Sequence, residues 1–269
     1  MTRKLDVTSG VEMPDNIDKL FDLSGKLALV TTAASGLGRA IAYGMAKYGA
    51  DVACADLDLS GAKETVSRIR KWGKESLAIE YNVGDWEQVK RMVGKTVDHF
   101  GRIDISFHMP GINIRKTVSD LELEEYYEII DINLKGIFNL CKAVGEIMIK
   151  QKRGKIINMS SIFGLCAMGR QSGYASSKHG VLGLTKVLAI EWAKYNIQVN
   201  ALCPGYHMTP RQKQVVSDKA WYGEIISKIP QRRFAQPWEI IGPAVFLASE
   251  ATSFITGSAL ICDGGWTTQ

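Results

Sequence analysis

The sequence lacks the features that mark membrane and disulfide-stabilised proteins. No apolar run approaches the ~18 residues of a membrane-spanning helix, and the first ten residues hold no signal-peptide core. The 5 cysteines are odd in number and show no paired spacing for a metal ion. From these absences we expect a soluble, cytoplasmic protein with reduced thiols, without a bound metal and without a membrane partner.

Positive charge is also too sparse to suggest a nucleic acid partner. The formal net charge is +5 at pH 7 over 269 residues. Its densest cluster follows a long helical pattern, where cations complement a helix C-terminus: Lys150, Lys152, Arg153 and Lys155. With 46% hydrophobic residues, the chain can bury a full core in one domain. We therefore expect a globular protein that does not bind nucleic acid.

Short apolar runs alternate with amphipathic helical patterns along most of the chain. Residues 1–20 are polar and aperiodic and are predicted to form an N-terminal arm, and 21–269 a single domain. Strands are predicted at 26–31, 51–56, 76–81, 103–109, 155–159, 197–202 and 259–262. Helices are predicted at 39–48, 61–72, 85–100, 123–150, from Tyr174 to about 194, and at 237–249, whereas 205–233 breaks the rhythm. The pattern predicts an α/β fold with a doubly wound, seven-stranded parallel sheet covered by helices on both faces.

Tyr174 and Lys178 are the first candidates for catalysis. They are four residues apart, so on a helix they share one face. A neighbouring ammonium lowers the pKa of a phenol from about 10 towards neutrality, where it can exchange protons usefully. Ser161 could hydrogen-bond the same substrate oxygen. Tyr43 and Lys47 repeat the spacing, but without a polar partner at a matching distance, and we interpret that pair as structural.

A glycine-rich turn follows the first predicted strand. In Thr31-Thr-Ala-Ala-Ser-Gly-Leu-Gly38 it opens a helix, where backbone N–H groups and the helix dipole attract a pyrophosphate. Asp56 closes the next strand, where a carboxylate can accept bonds from ribose hydroxyls and repel a 2'-phosphate. Alone, the turn could be an ordinary strand-to-helix connection and Asp56 a cap, but together they predict a dinucleotide site. Leu57 and Ser35 offer no cation for a 2'-phosphate, so NAD is expected rather than NADP.

With these pieces the chain resembles the short-chain dehydrogenase/reductase family, from about residue 21 to the C-terminus. Asn133 in Ile-Asn-Leu-Lys-Gly, Ser161 thirteen residues before Tyr174, and Asn200-Ala-Leu-Cys-Pro-Gly205 match its motifs, as does 252–265. The resemblance implies a Rossmann-like fold with Tyr174 as acid/base and Lys178 tuning it and holding the nicotinamide ribose. It also implies that Ser161 orients the substrate oxygen and that Asn133 holds a water in a proton relay. A homotetramer or homodimer is implied as well.

The resemblance also implies a set of cofactor-binding positions. These are Thr32, Ser35, Gly36, Leu37, Gly38, Asp56, Leu57, Asn82, Val83, His108, Pro110, Gly111, Tyr174, Lys178, Pro204, Gly205, His207 and Thr209. Some depart from the family pattern: Thr32 replaces the first glycine, His108-Met109-Pro110 replaces Asn-Asn-Ala, and Asn82 replaces an aspartate. His108 could equally be a packed histidine at a strand end.

The loops expected over the site are rich in polar side chains, including Asn113, Gln171 and Gln212. Candidate substrate ligands, besides Ser161 and Tyr174, are Arg115, Arg170, Tyr206 and Arg211. Gly111-Ile-Asn-Ile-Arg115 and the 263–267 ending also resemble the gluconate 5-dehydrogenase and deoxygluconate dehydrogenase branch of the family. We therefore expect NAD-linked oxidation of a sugar acid or polyol, or reduction of a keto sugar. The alternatives are a 3-oxoacyl-thioester (acyl carrier protein) reductase and a catalytically silent dinucleotide-binding regulatory subunit.

Overall fold

The computed structural model describes residues 17–268, so most of the predicted N-terminal arm lies outside the described residues. Seven parallel strands form one sheet in the order β3-β2-β1-β4-β5-β6-β7. They are β1 Leu27–Thr31, β2 Asp51–Asp56, β3 Ser76–Glu80, β4 Ile105–His108, β5 Gly154–Met159, β6 Ile197–Pro204 and β7 Ala259–Cys262. The predicted fold class is confirmed.

Helices cover both faces of this sheet. They are α1 Gly36–Lys47, α2 Leu59–Arg70, α3 Trp86–Phe100, α4 Leu123–Ile130, α5 Gly136–Gln151, α6 Ser172–Trp192, α7 Lys213–Ser217, α8 Lys219–Ser227 and α9 Ile241–Ala248. One buried apolar cluster packs α1, α2 and α9 against the sheet, and a second packs α3, α5 and α6. Every residue of β1 is buried because both of its faces are covered, which explains why this strand is a continuous apolar run. None of the helices within residues 17–268 is long and apolar enough to cross a membrane.

The predicted helix at 123–150 is interrupted. A π-helical segment, Asp131–Lys135, separates α4 from α5 and contains Asn133. Such segments are rare and occur often at functional sites. Periodicity did not predict the break because the apolar positions continue across it. The irregular stretch 205–233 likewise contains α7 and α8, two short helices that the sequence did not predict.

The strand order decides where a ligand can bind. Successive strands are added towards one edge of the sheet from β1 to β3 and towards the other edge from β4 to β7, so β1 and β4 are neighbours although two strands separate them in sequence. Open α/β sheets bind ligands at such a switch point, outside the carboxyl ends of the strands. The turn after β1 and the segment after β4 are thereby brought to the same edge.

Candidate active site

A cleft of about 280 Å³ opens at this edge. It is lined by Thr32, Ser35, Gly36, Leu37, Gly38, Met109, Pro110, Gly111, Asn113, Arg115, Met159, Ser160, Ser161, Ile162, Phe163, Gln171, Tyr174, Lys178, Pro204, Gly205, Tyr206, His207, Thr209, Pro210, Arg211 and Gln212. Most of the predicted cofactor positions and three predicted catalytic residues are therefore brought together.

The turn after β1 keeps a conformation that favours glycine. Thr32 has φ 55° and Gly36 φ 53°, values that β-branched residues rarely adopt. At Gly38 an added Cβ would lie 1.9 Å from the carbonyl oxygen of Thr32, so only glycine fits. Asp56 fixes the turn from the side, because its Oδ2 accepts a bond from the N–H of Ala34 at 2.8 Å.

Lys178 is the most strongly perturbed group in the cleft. Its side chain is 2% exposed, and its Nζ donates to the carbonyl oxygen of Met159 at 2.8 Å and lies 5.6 Å from the centre of the Tyr174 ring. Burial, helped by the nearby Arg211 charge, lowers the pKa of Lys178 to about 7. On the same side, Ser161 Oγ accepts from the Phe163 N–H at 3.2 Å, which leaves the Ser161 O–H available to a substrate oxygen.

Asn133 does not line the cleft but bonds to residues next to it. Its Oδ1 accepts from the Ile112 N–H at 2.7 Å and its Nδ2 donates to the Ile112 carbonyl at 2.9 Å. The same Nδ2 donates to Ser177 Oγ at 3.1 Å, and Ser177 Oγ donates to the Tyr174 carbonyl at 2.7 Å. The π-helical segment thus ties the chain beyond Gly111 to the helix that carries Tyr174.

Tyr206 stands on an aromatic wall of the cleft. Its ring stacks on Phe234 with centres 5.1 Å apart and lies 5.4 Å from Trp266. Phe163 contacts both Tyr174 and Tyr206 edge to face. Burial raises the pKa of Tyr206 to about 12, so it stays protonated and can act only as a hydrogen-bonding group near neutral pH.

The three candidate arginines occupy different places. The Arg115 guanidinium lines the cleft and packs over the Trp221 ring, 5.0 Å from its centre. Arg211 lines the cleft and donates to the Gly111 carbonyl. Arg170 is exposed and outside the lining, where its Nη2 donates to the backbone carbonyl of Arg115 at 3.4 Å.

His108, a predicted cofactor position, does not line the cleft. His108 is fully buried, with Nε2 2.9 Å from Ser106 Oγ and Nδ1 3.0 Å from Asn158 Oδ1. Since Asn158 Nδ2 donates to Thr185, its Oδ1 must accept, which makes His108 Nδ1 the protonated nitrogen. Burial lowers the pKa of His108 to about 4. The side chain is a neutral packing group on the face of the sheet that α5 covers, where Cys141 Sγ lies 3.3 Å from its Nδ1.

Four further predicted cofactor residues lie beside the cleft rather than in its lining. Asp56 ends β2, Leu57 follows it, and Asn82 and Val83 come shortly after β3, so they share the edge at which the turn lies. Leu57 is 66% exposed, and Asn82 Oδ1 accepts from the Gly84 N–H at 2.9 Å. Sequence reasoning missed Met159, Ser160, Ile162, Phe163 and Pro210, although their adjacency to Ser161 and Thr209 was a usable signal.

Tyr43 and Lys47 lie away from the cleft. The Tyr43 ring meets Trp72 edge to face at 5.2 Å, and Lys47 Nζ is 4.1 Å from the Trp72 ring centre. Both side chains therefore pack on one tryptophan, in agreement with the structural interpretation.

Comparison with known proteins gives matches along nearly the whole chain. A family model described as Enoyl-(Acyl carrier protein) reductase matches residues 32–267. A 2-dehydro-3-deoxy-D-gluconate 5-dehydrogenase from Dickeya dadantii (strain 3937) is 36% identical over 247 residues, covering 91% of this chain and 97% of the relative. A D-threitol dehydrogenase from Mycolicibacterium smegmatis is 38% identical and covers 94% and 96%. A 3-oxoacyl-[acyl-carrier-protein] reductase from Thermotoga maritima is 37% identical and covers 90% and 98%.

The fold also matches solved structures. The crystal structure of a gluconate 5-dehydrogenase from Burkholderia cenocepacia J2315, in complex with NADP and tartrate, has a TM-score of 0.90 at 33% identity. The match covers 93% of this chain and 98% of that one.

Proposed function

The chain belongs to the short-chain dehydrogenase/reductase family, and from this premise we propose that it interconverts a secondary hydroxyl and a ketone on a sugar acid, polyol or keto sugar, using a nicotinamide cofactor. The observation that carries the proposal is the meeting of Ser161, Tyr174 and Lys178 in one cleft with the glycine-rich turn. The described residues that line this cleft include no aspartate or glutamate, which suits an anionic cofactor and an anionic substrate.

The residues present fit a dinucleotide. Close packing of Gly38 against the Thr32 carbonyl leaves the N-terminus of α1 open to a pyrophosphate, and Lys178 brings an ammonium group into the cleft for a ribose hydroxyl. Asp56 would hold the adenine ribose, and the 204–209 segment would lie at the nicotinamide end. When bound, the nicotinamide accepts or supplies the hydride, and the protein supplies orientation and the proton.

Tyr174 is proposed as the proton donor to the carbonyl oxygen in reduction and the acceptor of the hydroxyl proton in oxidation. Ser161 Oγ would bond the same oxygen and orient it. Lys178, whose Nζ lies 5.6 Å from the centre of the Tyr174 ring, would hold the nicotinamide ribose, and Asn133 would keep Gly111 and Ile112 in place through its paired bonds to Ile112. The water relay at Asn133 remains a prediction from the family resemblance.

NAD is proposed over NADP. The Asp56 carboxylate stands at the end of β2, where it would repel a 2'-phosphate, and Leu57 follows it. Arg39, the cation nearest the turn in sequence, is engaged by the Gly61 carbonyl and Glu64, both at 3.1 Å. Because one solved relative is in complex with NADP, the preference is tested by comparing kcat/KM with NAD and with NADP.

Arg115 is proposed as the ligand of a sugar-acid carboxylate. A guanidinium can bind a carboxylate through two parallel hydrogen bonds. The Arg115 guanidinium packs over the Trp221 ring, and its Nε is buried without a hydrogen-bond partner. Of the other candidates, Arg211 is engaged by Gly111 and Arg170 is outside the cleft lining.

Two alternatives are weaker. The 3-oxoacyl-thioester reductase alternative is supported by a relative of similar sequence identity. However, a site for an acyl chain needs a more continuous apolar lining, and the lining of this cleft includes the polar residues Asn113, Arg115, Gln171 and Gln212. A silent regulatory subunit would not need Asn133, Ser161, Tyr174 and Lys178 together, and all four are present.

A homodimer or homotetramer is proposed as the working assembly. The family resemblance is the basis of this proposal, and α5 and α6 offer exposed apolar side chains for such an interface, with Phe138 at 49%, Val187 at 51% and Ile190 at 81% exposed. Light scattering measures the mass directly, and a monomer at micromolar concentration would contradict the proposal.

The test of the proposed function is NAD-linked turnover on a panel of aldonates, hexitols, pentitols, keto sugars and β-ketoacyl thioesters. We expect the highest kcat/KM on a sugar acid. Preference for thioesters would overturn the proposal, and preference for neutral polyols would remove only the carboxylate part. Tyr174→Phe serves as the inactive control.

A further inference from the structure

Two amide side chains in the cleft form an incomplete pair. Asn113 Nδ2 donates to Gln171 Oε1 at 2.8 Å, although the residues are 58 positions apart. Asn113 Oδ1 and Gln171 Nε2 are both buried and have no hydrogen-bond partner. Gln171 is 1% exposed, and both residues line the cleft. One acceptor and one donor are therefore left unpaired on two bonded residues that line the cleft.

Both partners of the pair are held rigidly. Asn113 follows Ile112, whose N–H and carbonyl are bonded by Asn133. Gln171 is the N-cap residue of α6, and its carbonyl accepts from the Ala175 N–H at 2.8 Å. It lies three residues before Tyr174, so the same helix start fixes both side chains. This support gives the pair the preorganisation that a recognition site needs.

The chemistry of the unpaired atoms selects a ligand. A hydroxyl can donate to Asn113 Oδ1 and accept from Gln171 Nε2 with one oxygen atom. A carboxylate can only accept and an ammonium can only donate, so each would leave one amide atom unsatisfied. Turning both amides by 180° exchanges their roles and again leaves one acceptor and one donor. The match to a hydroxyl is thus the same in either orientation.

We infer that Asn113 and Gln171 form a subsite that binds one substrate hydroxyl other than the hydroxyl that reacts. The inference rests on the proposed function and deepens it, because it identifies the substrate as a polyhydroxylated molecule by a second hydroxyl group. These residues determine specificity and take no part in proton transfer. A site with buried polar groups rejects an analogue that lacks the matching hydroxyl, because the groups are left unpaired.

The experiment compares the best substrate with each of its monodeoxy analogues. In the wild type we expect one analogue to lose at least about 100-fold in kcat/KM, since sites built to hydrogen-bond a hydroxyl reject analogues without it by up to about 10⁴–10⁵. In Gln171→Met this loss should fall below about tenfold. Gln171→Glu keeps an acceptor for Asn113 Nδ2 and removes the donor, so it should also relax discrimination at the same position while preserving the pair.

Gln151→Met is the matched control. Gln151 bonds the backbone of Ile103 with both its amide atoms, at the opposite end of the sheet from the cleft, so its loss should leave the discrimination ratio unchanged. The inference is overturned if the wild type shows no loss of kcat/KM on any monodeoxy analogue. It is also overturned if the Gln171 variants lower kcat/KM by the same factor on the parent substrate and on every analogue. Absence of turnover on every parent substrate would overturn the proposed function itself, and the inference with it.

Discussion

Replacing Thr32 by glycine should stabilise the protein and tighten its binding of the cofactor. Thr32 has φ 55° in the turn, and a non-glycine residue pays about 1–2 kcal/mol in the left-handed region. Glycine loses more backbone entropy on folding, at a cost of about 0.5–1 kcal/mol. From the midpoints of these two ranges the net gain is about 0.75 kcal/mol, which for a chain of this size corresponds to a rise in Tm of about 1.5–3 °C.

The affinity effect follows from the place of Thr32 in the cleft lining. Removing its Cβ and hydroxyl clears the turn where a pyrophosphate must approach the backbone. A gain of up to about 1 kcal/mol corresponds to a Kd for NADH about fivefold lower. Differential scanning fluorimetry gives Tm of the free protein, and fluorescence titration gives Kd.

Lys152→Gly separates the two effects. Lys152 also has φ 55°, but it caps the C-terminus of α5 and does not line the cleft. This variant should raise Tm and leave the Kd for NADH unchanged. A lower Tm for Thr32→Gly would show that the left-handed turn is not strained, and an unchanged or weaker Kd would show that the turn has adapted to threonine.

Three further outcomes are expected. Tyr174→Phe should lower kcat by about 10²–10⁴ because it removes the acid/base group while NADH binding by titration stays intact, and activity within tenfold of wild type would contradict the role. The kcat/KM with NAD should exceed that with NADP because the Asp56 carboxylate repels a 2'-phosphate, and Asp56→Ser should lower the ratio of the two values. Equal kcat/KM with NAD and NADP in the wild type would refute the preference for NAD. Burial lowers the pKa of Lys178 from 10.5 to about 7, so between these values the unfolded state binds more protons and the free energy of unfolding rises with pH. Lys178→Met removes this dependence on pH. In denaturant titrations of the free protein, the difference in free energy of unfolding between Lys178→Met and the wild type should therefore be largest at pH 7 and shrink towards pH 10. A difference that stays constant over this range would contradict the lowered pKa of Lys178.

The sequence by itself determined the order of the elements, the parallel sheet and the Tyr174–Lys178 pair. These follow from local patterns, because apolar periodicity distinguishes strand from helix and a spacing of four residues fixes a shared helix face. The glycine-rich turn was also predicted from local sequence, because glycines between a strand pattern and a helical pattern indicate a turn.

Only the tertiary structure decided where side chains on different elements meet. His108 projects to the face of the sheet that α5 covers, and the register that pairs it with Asn158 cannot be read from either strand alone. The Asn113–Gln171 pair joins two segments that the β1–β4 switch point and the start of α6 bring to one edge. Arg115 packs over Trp221, which lies on α8 within the irregular stretch 205–233. Such contacts depend on the packing of distant segments, whereas local periodicity depends only on near neighbours in the chain.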